Sequence, residues 1–86
     1  MTLIFTRVAQ KQLDKIKSNK VHKRKLYELF EILEGNPYQT PPSYEKLTGD
    51  LDGKYSRRIN IKHRLVYEVD EEKKQVKVLS LWSHYE

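Results

Sequence analysis

A chain of 86 residues has room for one modest core, burying about 60–65% of its unfolded surface, so a single domain over residues 1–86 is expected. The absence of cysteine excludes disulfides, thiolate zinc sites and thiol nucleophiles, and it fits a reducing cytoplasm. The 17 Lys and Arg exceed the 12 Asp and Glu by five, which favours a polyanionic partner over a neutral metabolite.

In chain order, Leu3, Ile4 and Phe5 form a short apolar run expected to be a buried strand. The apolar stretch of "MTLIFTR" is too short for a signal peptide, and no run approaches the ~20 apolar residues that span a bilayer. A cytosolic, unprocessed protein is expected. Thr6 offers a hydroxyl to cap a helix starting near Arg7. Val8, Ala9, Gln12, Leu13 and Ile16 keep a three-to-four residue spacing up to the interruption at Ser18-Asn19. A second helix, with Leu26, Leu29, Phe30 and Leu33 as its apolar stripe, runs to about Glu34, where Gly35-Asn36-Pro37 stops it. Tyr38 to Ser43 is too rich in proline for helix and reads as a loop.

The period then changes. "KYSRRINI", "HRLVYEV" and "VKVLSLWSHY" alternate β-branched and aromatic residues as strands do, with "DEEKKQ" as a hairpin connection between the last two. The expected fold is α+β: a strand, two helices, then a three-stranded antiparallel meander packed on the helices. Alternation puts Ser56, Arg58 and Asn60 on one face of their strand and Tyr55, Arg57, Ile59 and Ile61 on the other. Arg64, Val66 and Glu68 likewise oppose His63, Leu65, Tyr67 and Val69. Val76, Val78, Ser80, Trp82 and His84 oppose Leu79, Leu81 and Tyr85. A bulge would exchange the two faces.

Taken singly, these polar residues have ordinary explanations. Arginines on a sheet edge guard against aggregation, a loop glutamate such as Glu45 is a solvated charge, and Trp82 is core or rim packing, with base stacking the second reading. His22 stands among Lys20, Lys23, Arg24 and Lys25, and neither it nor His63 belongs to a pair with metal-ligand spacing. Taken together, one carboxylate, several arginines, a histidine and neighbouring tyrosines suffice to cut RNA with neither metal nor cofactor. A base takes the proton from a ribose 2′-hydroxyl, cations hold the phosphorane, and an acid protonates the leaving 5′-oxygen. Arginine grips two phosphate oxygens with a charge it never loses, and an unperturbed histidine titrates near ~6.5.

The stretch "YEKLTGDLDGKYSRRINIKHRLVYEV" and the closing "SHY" resemble the YoeB/Txe group of RelE-type toxins, ribosome-dependent mRNA interferases of bacterial toxin-antitoxin pairs. The resemblance covers the whole chain; its specific parts are "L.G..SRRI", "HRLVY" and the final His-Tyr. It implies a RelE-like microbial RNase fold, with Glu45 as general base, His84 as general acid and Arg64 as the main phosphate-stabilising group. Arg58, Arg57, Lys46, Tyr55 and Tyr85 are implied contacts to RNA or phosphate. Three positions depart from the family pattern: Thr48 where a lysine is common, Lys54 where an aromatic is common, and Glu86 beyond the usual terminal tyrosine.

Implied partners are the ribosome, mRNA and a YefM-like antitoxin that folds on binding, with no membrane and no DNA bound by this chain alone. The lysine-rich first half suggests how rRNA would be met. Lys11, Lys15, Lys20, Lys23, Arg24 and Lys25 lie in a stretch, from Arg7 to Lys25, whose single acid is Asp14. Two other readings use the same scaffold: a non-catalytic inhibitor of the ParE kind and a plain RNA-binding module.

Overall fold

The computed structural model describes residues 1–16, 20–49, 53–60 and 63–81. Its elements run β1 (Thr2–Phe5), α1 (Arg7–Ile16), α2 (Lys20–Gly35), β2 (Glu45–Lys46), β3 (Lys54–Arg58), β4 (Arg64–Asp70) and β5 (Gln75–Ser80). The strands make one five-stranded sheet in the order β1-β5-β4-β3-β2. β2 to β5 pair antiparallel, and β1 joins β5 in parallel, Phe5 opposite Val78. The expected α+β arrangement is present, and its meander is widened at both edges. β2 is only two residues long, too short to carry any periodicity.

Thr6 sets the path from β1 into α1. Its Oγ1 accepts from Ala9 N at 3.1 Å and donates to Leu79 O at 3.0 Å, so one hydroxyl caps the helix and ties it to β5. Ala9, Leu13 and Ile16 are buried, but Val8 is 57% exposed: the real stripe is narrower than the apolar pattern implied. Gln12 has a polar task, its Oε1 accepting from Leu81 N at 2.7 Å and from Ser80 Oγ at 3.3 Å.

All four residues expected of the α2 stripe, Leu26, Leu29, Phe30 and Leu33, are buried. They pack with Leu65, Tyr67, Val76 and Val78 from the sheet and with Leu81 just beyond β5. At the C-terminus of α2, Asn36 N donates to Ile32 O at 2.7 Å, and Asn36 Oδ1 accepts from Tyr38 N at 3.0 Å, turning the chain into the proline-rich loop.

A register shift between Val66 and Tyr67 settles the strand faces. Tyr67 pairs with Val78 but Val66 pairs with Ser80, so an extra β5 residue is absorbed there. Val76 and Val78 face the helices before the shift and Leu81 does so after it. Among the described residues, no helix is long and apolar enough to cross a membrane.

Candidate active site

Three strands bring the polar residues together by register alone. Glu45 on β2 lies opposite Ser56 on β3, and Arg58 on β3 lies opposite Arg64 on β4. Residues two apart share a face, so Glu45, Ser56, Arg58 and Arg64 all project from the side of the sheet turned away from the main core. They line one cavity of about 550 Å³ with Lys25, Pro42, Ser43, Tyr44, Ile59 and Asn60.

Within it, Arg64 is the centre. Its Nη2 donates to Glu45 Oε1 at 3.1 Å and its Nη1 to Ser56 Oγ at 3.1 Å. The Arg64 side chain is 23% exposed and that of Glu45 61%, so the pair stands at the rim, not inside. Arg58 is exposed beside it. Two like charges directly opposite in an antiparallel ladder destabilise it, a cost an anion between them would remove.

Arg57 takes a different place from the RNA contact expected of it. It is fully buried on the opposite face of β3. Its Nε donates to Tyr67 Oη at 3.0 Å, its Nη1 to Pro42 O at 2.6 Å, and its Nη2 to Pro37 O at 2.8 Å and Gln39 O at 2.9 Å. The guanidinium carbon lies 5.0 Å from the centre of the Tyr44 ring. Tyr55 is also inward of the cavity: it stacks on Tyr67 at 5.7 Å and meets the edges of Tyr44 at 5.6 Å and Tyr38 at 5.9 Å. Lys46 pairs with Tyr55 and does not line the cavity.

Burial raises the pKa of the Tyr67 phenol, with Arg57 pulling the other way, so Tyr67 keeps its proton and donates to Pro37 O at 3.3 Å. Tyr38 is raised too, first by desolvation and then by its hydrogen bond to Glu71 Oε2 at 2.7 Å.

Ile59 and Asn60, just past the end of β3, also line the cavity. Asn60 Oδ1 accepts from His63 N at 2.7 Å, and Asn60 Nδ2 meets His22 Nε2 of α2 at 2.8 Å. His22 and His63 pack edge to face at 6.1 Å. Among the described residues, no group of three or more His, Cys, Asp or Glu could hold a metal ion.

Of the basic helical residues, Lys11, Lys15, Lys20, Lys23 and Arg24 are exposed, with Lys23 Nζ 5.8 Å from the Tyr27 ring centre. Lys25 is half-buried and belongs to the cavity. Its spacing offered the signal for this: it falls one turn before Leu29 and so borders the buried stripe. Pro42, Ser43, Tyr44, Ser56, Ile59 and Asn60 line the cavity without a role assigned from sequence; of these, Ser56 and Tyr44 stand next to Arg57 and Glu45 respectively. His84 and Tyr85 lie outside the described residues.

The family model of the YoeB-like toxin of bacterial type II toxin-antitoxin systems matches residues 9–85. The YoeB/ParE toxin from Agrobacterium tumefaciens superposes with a TM-score of 0.90 at 27% identity, over 99% of this chain and 100% of that one. The heterotetrameric YoeB-YefM complex from Staphylococcus aureus gives a TM-score of 0.84 at 34% identity, over 99% of this chain and 98% of that one. A metal-bound toxin from Helicobacter pylori, 20% identical, shares the fold with a TM-score of 0.83 over 98% of this chain and 94% of that one. A search of curated protein sequences finds no match. The matched span, nearly the whole chain, and the two superpositions together show that this chain belongs to the YoeB-like toxins of bacterial type II toxin-antitoxin systems.

Proposed function

We propose that the chain is a ribosome-dependent endoribonuclease that cuts mRNA in the ribosomal A site and so stops translation. The observation that carries this reading is the opposition of Arg58 and Arg64 in a cavity where Arg64 also holds the carboxylate of Glu45 at 3.1 Å. An anion belongs between the arginines, and a proton acceptor already stands beside it.

The ion pair describes a resting state. An exposed pair of this kind contributes only about 0–1 kcal/mol, so an incoming phosphate displaces it readily. Arg64 then turns its fork to the phosphate, and Glu45 Oε1 becomes free to accept the proton of the ribose 2′-hydroxyl. The 2′-oxygen attacks phosphorus, Arg64 and Arg58 hold the charge of the phosphorane, and His84 protonates the departing 5′-oxygen. The products are a 2′,3′-cyclic phosphate and a 5′-hydroxyl end. Tyr85 orders the substrate or the end of the chain.

Dependence on the ribosome has a physical reason. So small a surface reads little sequence, and flexible mRNA must be held in line for attack, which an RNA machine can do. On purified translating ribosomes, the protein is expected to produce new mRNA 5′ ends within codons, each with a 5′-hydroxyl, and none on the same mRNA free in solution. Intact mRNA on ribosomes that the protein nevertheless binds would favour a non-catalytic inhibitor.

Docking on rRNA is assigned to the exposed cations of α1 and α2. Affinity for ribosomes is expected to fall steeply with salt, each neutralised phosphate contributing about −0.7 to −0.9 to the log-log slope. Replacing Lys20, Lys23 and Arg24 together should flatten that slope by roughly 2 to 3 while leaving cutting on saturated ribosomes nearly unchanged. Lys25 is left out of this variant because it lines the cavity. A slope that stays the same would remove α2 from the docking surface.

The YoeB-YefM complexes from Staphylococcus aureus support an antitoxin of the YefM kind as the cognate partner. A chain that folds on binding and covers the cavity would silence the activity.

A further inference from the structure

On the basis of the nuclease reading above, we propose that Arg57 is a positioning residue: it shapes the Pro37–Tyr44 segment so that Glu45 is delivered to Arg64. Removing a guanidinium from water is repaid only when its N–H groups find acceptors, and Arg57, fully buried, satisfies its own unusually well. Four hydrogen bonds leave it, and three of them end on the carbonyls of Pro37, Gln39 and Pro42. A stretch with prolines at positions 37, 41 and 42 lacks the N–H groups that a strand ladder needs, so Arg57 supplies from inside what the backbone cannot exchange with a neighbour. The same guanidinium rests on the ring of Tyr44, at 5.0 Å, and the next residue is Glu45.

Glu45 has little else to hold it. β2 is two residues long and rests on β3 alone, at the sheet edge. Arg57 bonds three carbonyls and Tyr67 Oη from three separate nitrogens, four acceptors where a lysine has three N–H bonds on one point. Loosening the segment moves the Glu45 carboxylate away from the 2′-hydroxyl, and a misplacement of about 1 Å can cost on the order of 10²-fold in rate.

The Arg57→Lys variant tests this in two arms. The first needs no activity: amide hydrogen exchange across residues 38–47 should rise about 10-fold or more, while the amides of Leu29, Phe30 and Leu33 keep their protection. Unchanged exchange in 38–47 overturns the proposal. The second arm is single-turnover cutting of mRNA on ribosomes. The rate at saturation should fall about 10- to 100-fold with the half-saturating ribosome concentration unchanged, and the same substitution in a Glu45→Gln background should cost nothing further. A wild-type rate, or an equal further loss in that background, overturns the proposal.

Should Arg57→Lys fail to fold, the near-isosteric Tyr67→Phe decides. It removes the acceptor of Nε and the hydrogen bond to Pro37 O, and the same pattern is expected at several-fold scale. A wild-type protein that cuts no mRNA overturns the nuclease reading itself. That result is distinct from a cutting wild type with an unaffected Arg57→Lys, which overturns this proposal alone.

Discussion

His84→Gln is expected to slow single-turnover cutting on saturated ribosomes by about 10² to 10⁴-fold, the worth of a positioned general acid, and to leave fold and ribosome affinity intact. The 5′-oxygen leaves as an alkoxide unless a proton arrives with the bond cleavage. An unperturbed imidazole, titrating near ~6.5, is protonated often enough at cellular pH and gives its proton up readily. Glutamine can still donate a hydrogen bond from its amide but cannot transfer the proton, so the loss isolates transfer from contact.

β5 itself is well anchored: it pairs with β1 on one side and β4 on the other, and Gln12 Oε1 holds both Ser80 and Leu81. The measurement is the rate at saturating ribosomes beside the binding curve; a variant that cuts at the wild-type rate removes His84 from the acid role.

The helices were readable because packing against a sheet writes a spacing into them. Leu26, Leu29, Phe30 and Leu33 are buried as their spacing required, and Thr6 caps α1 because a hydroxyl before a helix has few better uses. Val8 misled because an apolar residue on a helix does not have to be inside. β2 could not be read at all: it is made by register with β3, not by any pattern of its own.

For the site, alternation grouped Ser56 with Arg58 and set Arg57 apart, and that grouping is the one observed. What alternation could not say is why an arginine goes inside. The acceptors that receive Arg57 sit on Pro37, Gln39 and Pro42, 15 to 20 residues away, and no local pattern announces them. Glu45 was legible only through the family resemblance, since a glutamate after a proline-rich loop is ordinarily a solvated charge.

Arg64→Lys separates charge from geometry. Both side chains carry one positive charge, but only arginine can grip two phosphate oxygens in a plane, and here the fork already spans Glu45 and Ser56, each at 3.1 Å. In the proposed mechanism the charge of the phosphorane falls to side chains, with Arg64 at the centre and Arg58 opposite it in the ladder. A loss on the order of 10²-fold or more in the chemical step is expected, comparable to deleting one oxyanion-hole donor, with ribosome binding little changed. Chelation would be a poor substitute for this experiment because magnesium holds the ribosome together. The substrate supplies the complementary control: mRNA carrying a 2′-deoxy or 2′-methoxy group at the cut site should be inert, since the nucleophile is gone, whereas unmodified mRNA should yield cyclic-phosphate ends. Cutting of the modified mRNA to leave a 5′-phosphate would make water the nucleophile, and the roles given to Glu45, Arg64 and His84 would then all fall together.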